Sequence, residues 1–352
     1  MSRFAPAVEV ALILCVVGTH ADTIKIAFWN ALHFGYGKGE CKDIEQIADI
    51  IEDYDVVALA EVMNNSKKDP NESTCVAVYG TDVLGHVEAL VAELNSRGQT
   101  WSRIISPEAR GRSDSYKEYY VFLHNHRVQR VECGCFFPDS SDIFEREPFF
   151  ASFLAEEFDF TVIVHHAIRS SKSTELKLKR EIQFLKDVFL SVQGLDPFED
   201  DIILLGDFNV ESSRDGWWNE LRSISGLTAL IDEPTSLGQD GLANPYDKIW
   251  IDACNTGPEH EFTGQSGILK FWDLVFSELP ESERYSYAYE NKGSFSDHVL
   301  IWAEFSIDLD DDPASNKSTA QRHANDSGVP RTPSLDEAKS ENPMTQYLFL
   351  AS

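Results

Sequence analysis

Four short runs in this chain are too continuously apolar to lie on a half-exposed surface: TIKIAFW (23–29), VVALA (56–60), FDFTVIV (158–164) and IILL (202–205). A strand with one wet face would alternate apolar with polar residues, whereas strands buried on both faces do not. Between these runs lie stretches with a single apolar stripe at helical spacing. One covers 43–52 through Ile44, Ile47, Ile50 and Ile51, and another 81–96 through Val83, Leu84, Val87, Leu90 and Leu94. A third covers 176–192. Further strands are predicted at 119–123, 248–251 and 299–305. Doubly buried strands alternating with one-sided helices predict sheets covered by helices, a layered α/β build. A chain of 352 residues, 42% of them hydrophobic, can fill such a core.

The two ends read differently. Residues 1–21 (MSRFAPAVEVALILCVVGTHA) carry Arg3, an apolar run over 10–18 and a small-residue Thr19-His20-Ala21 site. That is the layout of a secretory signal peptide, too short to span a membrane. Sequons at Asn64, Asn71, Asn316 and Asn325 agree with export. Past residue 307 the chain turns polar, with scattered prolines and charges, and is predicted to be a disordered tail. One folded unit over 22–307 is therefore expected, secreted and with no membrane span. In an oxidising compartment the five cysteines left after the signal suggest two disulfides and one thiol. Cys41–Cys75 is the first expected pair, and Cys133-Gly-Cys135 is too tight for an easy mutual bridge.

Charge narrows the function classes. The chain holds 59 Asp and Glu against 30 Lys and Arg, a net −29. The tail contributes eight acidic and four basic residues, and Arg3 cancels Glu9, so −25 belongs to the folded unit. Non-specific affinity for nucleic acid comes mostly from Lys and Arg displacing counterions, so an architectural binder is excluded. An enzyme touching a polyanion at one small place is not.

The apolar runs deliver polar residues that have no reason to be buried: Asn30, Glu61, His165 and Asp207 follow them, and Asp297 stands just before the last strand. Gathered at one sheet edge they would form a site. In Gly206-Asp207-Phe208-Asn209 a carboxylate and an amide two residues apart share one side of the chain, suited to activating a water and binding a phosphoryl oxygen. Ser296-Asp297-His298 offers a ligand for a hard cation and an imidazole that ionises near neutral pH. Glu61 ends a buried strand, and with Asn30 it makes a sparse shell of the kind Mg²⁺ accepts.

The ordered set Trp29-Asn30, Leu59-Ala60-Glu61, GDFN at 206–209 and SDH at 296–298 resembles the endonuclease/exonuclease/phosphatase superfamily over about 24–305. Within it, Gly111-Arg112 followed by Ser115-Tyr116-Lys117-Glu118-Tyr119-Tyr120 is similar to the deoxyribonuclease I signature. Here one residue is inserted after the arginine, and Tyr119 replaces a second arginine. Phe144-Glu145-Arg146-Glu147-Pro148 and Tyr246-Asp247-Lys248-Ile249 fit the same branch.

The resemblance implies a four-layer α/β sandwich and divalent-metal hydrolysis of DNA phosphodiesters to 5′-phosphate and 3′-hydroxyl ends. It implies a Glu118–histidine pair, an Asp247–His298 pair, and Asp207 and Asn209 beside them. Mg²⁺ would sit on Asn30, Glu61 and Asp297. Arg112 would enter the DNA minor groove, Tyr116 would stack on a sugar there, and Arg146 would add to substrate binding. His165 and His166 face opposite sides of their strand, and the family spacing favours His165, with His166 a packing or hydrogen-bonding residue. A structural or activating Ca²⁺ is suggested by Thr235-Ser236 and Glu147. Ser212 and Asn244 stand where the family places a disulfide. The substrate is the one partner expected; the chain should be a monomer with no stable protein partner. A sphingomyelinase-like phosphodiesterase on the same fold, or a toxin-like nuclease subunit, are the alternatives.

Overall fold

The structure, a computed structural model, describes residues 22–35, 42–63, 84–112, 117–131, 134–196, 199–257 and 259–308. The expected signal, the tail beyond Asp308 and the sequons lie outside the described residues, as do Tyr116, Cys41, Cys75 and Cys133, and with them the expected Cys41–Cys75 bridge.

Two sheets carry the fold. The first contains β1 (Thr23–Phe34), β2 (Val56–Met63), β3 (Trp101–Ile105), β4 (Glu118–Asn125), β14 (Phe262–Leu269) and β15 (Leu300–Ser306) in the order β14-β15-β1-β2-β4-β3. The second contains β5 (Gln129–Arg130), β6 (Cys135–Phe136), β7 (Phe149–Ala155), β8 (Phe158–His166), β9 (Ile202–Asp207), β10 (Leu227–Ala229) and β13 (Asp247–Asp252). Its order is β10-β13-β9-β8-β7-β5, with β6 also on β7. A small hairpin, β11 (Leu237–Gly238) with β12 (Gly241–Leu242), stands apart. Each sheet is centred on one parallel pair, β1 with β2 and β8 with β9, flanked by antiparallel neighbours.

The predicted runs became these central strands because both of their faces are covered. Between the sheets, Ile24, Ile26 and Phe28 of β1 and Val56 and Ala58 of β2 meet Phe158, Phe160 and Val162 of β8 and Ile203 and Leu205 of β9. The outer face of the first sheet packs under α1 (Ile44–Ile51), α2 (Gly85–Ser96), α4 (Phe271–Val275) and α5 (Glu281–Glu290). The outer face of the second packs under α3 (Glu175–Gln193) through Leu178, Ile182, Leu185 and Phe189. The result is helix–sheet–sheet–helix, the four-layer α/β sandwich. Helix α1 starts where Asp43 accepts the backbone N–H groups of Glu45 and Gln46, a side-chain cap for otherwise orphaned donors.

Candidate active site

Strand alternation decides which polar residues meet. The inter-sheet face of β1 runs Ile24, Ile26, Phe28, and the next position on it is Asn30. On β8 the same face runs Phe158, Phe160, Val162, Val164 and ends at His166; on β9 it runs Ile203, Leu205 and ends at Asp207. The antiparallel strands β4 and β13 enter at this edge, with Glu118 ahead of Tyr120 and Phe122, and Asp247 ahead of Ile249 and Ile251. The polar cluster is thus the last rung of the apolar core.

Glu61 reaches the cluster by another route, since Val56, Ala58 and Ala60 hold the inner face of β2. Pairing of β2 with β4 slips between Leu59 and Val62, and Glu61 takes a left-handed backbone with φ of 56°. That bulge re-aims its side chain, and strain of this sort is stored at functional sites. Asn209 has the same conformation, φ 53°. Gly206 is required for a steric reason: a Cβ there would lie 1.8 Å from the carbonyl oxygen of His165.

Two histidine–carboxylate pairs face each other across Asp207, and each pair bridges the two sheets. His166 Nδ1 lies 2.5 Å from Glu118 Oε1. His298 Nδ1 lies 2.7 Å from Asp247 Oδ2. The Nε2 atoms of both rings point at Asp207 Oδ2, at 3.7 Å from His166 and 3.6 Å from His298. The Asn30 amide donates to the same Asp207 oxygen at 3.0 Å and to Glu61 Oε1 at 3.2 Å. Glu61 Oε2 accepts the backbone N–H of His33 at 3.1 Å. Asn209 donates its backbone N–H to Asp207 Oδ1 and its side-chain amide to the carbonyl of Ala167.

Several further contacts hold this arrangement, two of them through Ser296 and Thr235, for which the sequence suggested other roles. Ser296 Oγ donates to the carbonyl of Asn30 and accepts the N–H of His298, tying β1 to the SDH turn. Tyr120 OH accepts the N–H of His166. Thr235 Oγ1 accepts the N–H of Asp247, so this threonine orients a site carboxylate. Buried Lys42 donates to the carbonyls of Ala31 (2.5 Å) and Phe295. Burial lowers its ammonium to about 7, against the pull of Glu61 and Asp297.

The electrostatics follow from burial plus neighbours. Burial alone would raise Glu61, but His166, His33, the Asn30 amide and His298 outweigh it and hold the carboxyl at about 2. Burial disfavours the imidazolium of His298, yet Asp247 and Asp207 raise it well above its ordinary value. His166 is raised by Glu118 and Asp207 against both burial and Arg146. Asp207 is raised by burial and by Asp247.

The expected Glu118–His165 pair does not form. His165 shares the outer face of β8 with Ile163 and is sealed beneath α3, its ring edge-on to Phe144 at 5.1 Å and 6.1 Å from Phe208. Burial, then His166 and Arg146, push its pKa well below the ordinary value, so it is a neutral packing residue. His166 takes the position assigned to His165. The signal was in the sequence, because Phe158, Phe160, Val162 and Val164 mark the purely apolar face and put 166 in phase with it.

Of the other predicted residues, Asn30, Glu61, Glu118, Asp207, Asn209, Asp247 and His298 come together. Arg146 is buried beside Glu118, Nε to Oε1 at 3.0 Å, and donates to the carbonyl of His166 at 3.3 Å. Arg112 is exposed and pairs with Glu145 at 3.1 Å. Asp297 offers its carbonyl to the N–H of Leu237, and its charge acts on Lys42 and His298. Glu147 pairs with Arg110 at 3.4 Å.

Two donor sets suit a divalent cation. Glu61 is ionised and partly open to solvent, with Asn30 and Asp207 adjoining it, a hard oxygen environment that leaves room for water. The donor atoms of Asp207, Asp247 and His298 all lie within 4.8 Å of one another and are buried. Asp297 is not part of either set.

The profile of the Endonuclease/Exonuclease/phosphatase family matches residues 27–300. The chain belongs to that family. Similar relatives include a protein named deoxyribonuclease from Thioalkalivibrio sp. (strain K90mix), 29% identical over 282 residues, covering 78% of this chain and 69% of that one. Another is deoxyribonuclease-1-like 2 of Mus musculus, 28% identical over 243 residues, covering 67% and 78%. Among solved structures, an endonuclease/exonuclease/phosphatase family protein of Leptotrichia buccalis aligns with a TM-score of 0.50 at 18% identity, over 80% of this chain and 99% of that one. Across the family profile, the two histidine–carboxylate pairs and the Glu61–Asn30 edge stand as one assembled site.

Proposed function

We propose that this chain is an exported endonuclease that hydrolyses DNA phosphodiester bonds with a divalent metal, leaving 5′-phosphate and 3′-hydroxyl ends. The observation that carries the reading is the convergence of two histidine–carboxylate pairs on Asp207 beside an ionised Glu61. The similarity to relatives named deoxyribonucleases supports DNA as the substrate, and the sequence of residues 1–21 supports export.

Glu61 with Asn30 would hold Mg²⁺, which when bound supplies charge neutralisation at the phosphate oxygens. The remaining work falls to the chain's own groups. His298 is raised by the carboxylates of Asp247, Asp207 and Asp297, and as an imidazolium it holds a phosphate oxygen and delivers a proton at Nε2. Glu118 orients His166 through Nδ1, leaving Nε2 to take a proton from the attacking water. Arg146 opposes the charge on His166 and so favours its neutral, basic form. Asp207 and Asn209 position the nucleophile. Exposed Arg112 would meet the DNA backbone or minor groove. Ca²⁺ would act as a supporting ion.

Supercoiled plasmid incubated with the protein should be nicked and then linearised with millimolar Mg²⁺, with or without Ca²⁺, and left intact with EDTA. A parallel assay on sphingomyelin vesicles tests the lipid alternative. Hydrolysis of sphingomyelin without plasmid nicking would overturn the nuclease reading.

A further inference from the structure

One carboxylate outside the site grips both backbone segments that carry the partners of Glu118. Glu181 lies within α3, and its side chain is fully buried. Its Oε1 accepts the backbone N–H of Glu145 at 2.6 Å, and its Oε2 accepts that of Ile168 at 2.9 Å. Glu145 immediately precedes Arg146, and Ile168 lies two residues beyond His166. Packing does not demand an acid here, because Leu178, Ile182 and Leu185 already seat α3 on the sheet. An apolar residue at 181 would bury as well, but would leave two N–H groups without an acceptor.

We propose that Glu181 is a positioning residue for the reaction: by clamping the Glu145 and Ile168 segments together it fixes Arg146 and His166 around Glu118. The proposal rests on the nuclease reading and deepens it. A neighbouring residue on the same helix, Lys177, lies 3.9 Å from Glu181 Oε1 and makes its shorter contact elsewhere. Lys177, one turn before Glu181, reaches Glu145 Oε2 at 2.6 Å, and the Glu145 carboxylate also holds Arg112 by its backbone N–H (3.0 Å) and its Nε (3.1 Å). The Glu145 side chain thus steadies the exposed arginine, while its backbone, through Glu181, steadies the buried pair.

The variant Glu181→Gln keeps the shape but has one acceptor oxygen, and its amide N–H₂ confronts the second backbone donor. Its kcat on supercoiled plasmid should fall about 10–100-fold, the usual effect of losing an outer partner that orients a reacting group, with KM within about twofold. Glu145→Gln should instead raise KM. In a Glu118→Gln background the Glu181→Gln change should add less than about twofold, because its route to the reaction is already cut. In an Asp247→Asn background it should multiply in full. Imidazole ¹⁵N spectra give a readout that needs no substrate: the His166 resonances should move in Glu181→Gln and those of His298 should not. A folded Glu181→Gln protein with unchanged kcat and unchanged His166 resonances would overturn the proposal, as would full multiplication with Glu118→Gln. Absence of plasmid cleavage by the unaltered protein would sink the nuclease reading while the spectra still tested the clamp.

Discussion

The two histidine–carboxylate pairs are built alike and supported differently. Each spans the cleft between the sheets, Glu118 of β4 to His166 of β8 and Asp247 of β13 to His298 just ahead of β15, with an Nδ1-to-carboxylate contact of 2.5 Å at His166 and 2.7 Å at His298. Asp207 acts on both rings; the His166 pair also has a buried arginine beside it, and the His298 pair has the further carboxylate of Asp297 acting on its ring. A surplus cation on one side and an extra carboxylate on the other therefore separate two near-equivalent imidazoles, the way an enzyme can assign unlike proton duties to like groups.

The sharpest way to break that comparison is to remove each ring. His166→Ala and His298→Ala should each lower kcat/KM on the order of 10²–10⁴-fold. His165→Leu should stay within a few-fold in plasmid nicking, since that ring lies on the outer face of β8, against Phe144 and Phe208 and 3.8 Å from Glu181, and not in the cleft. Loss of activity in His165→Leu with retention in His166→Ala would reverse the assignment.

A smaller effect should follow from deleting the surplus charge. Arg146→Met removes the cation that lowers His166, so His166 should hold its proton to higher pH. The acid limb of the kcat/KM profile should then move to higher pH. Glu118→Gln removes the group that raises His166, and should move the limb the other way. A limb that ignores both changes would mean that His166 does not titrate in the reaction.

The smallest effect concerns stability. Burial raises the Glu181 carboxyl from 4.5 to about 7. A raised folded pKa stabilises fully below the unfolded value and loses that contribution as pH climbs through the folded one. Between pH 4.5 and 7 the protein should lose up to about 3 kcal/mol from this group, at about 1.4 kcal/mol per unit. Urea midpoints at pH 5 and pH 7.5 should show that slope in the unaltered chain and a flatter one in Glu181→Gln.

The sandwich was legible because its central strands are apolar on both sides and its helices on one. One strand with that mark escaped all the same, β7, which reads FFASFLA and is buried almost throughout; the others that escaped lack it. β14 reads FTGQSGIL and survives on an edge, where glycine and polar residues are tolerated. β5 and β6 are two residues each, too short to print any pattern. Most of the site was visible as polar residues at the ends of apolar runs. Between His165 and His166, the family spacing points to the first, whereas the apolar phase of FDFTVIV puts the second on the cleft side. Arg146, Ser296 and Thr235 stood in patterns the sequence offered, but their contacts with Glu118, Asn30 and Asp247 reach across the fold, and no local pattern announces such roles.

Since Asn30, Glu118, His166, Asp207 and Asp247 continue the phase of the inter-sheet core, registering a strand and assembling most of the site are one event. A one-residue slip of β8 would bring His165 to the cleft in place of His166, an imidazole still but at the wrong depth, and would turn every phenylalanine of its inner face outward. The hydrophobic penalty for that slip is far larger than any cost a catalytic group could impose. Proofreading of the active-site geometry is thereby delegated to the core. Variants that loosen the sheet contacts around Phe160 or Val162 should blur the chemistry before they unfold the chain.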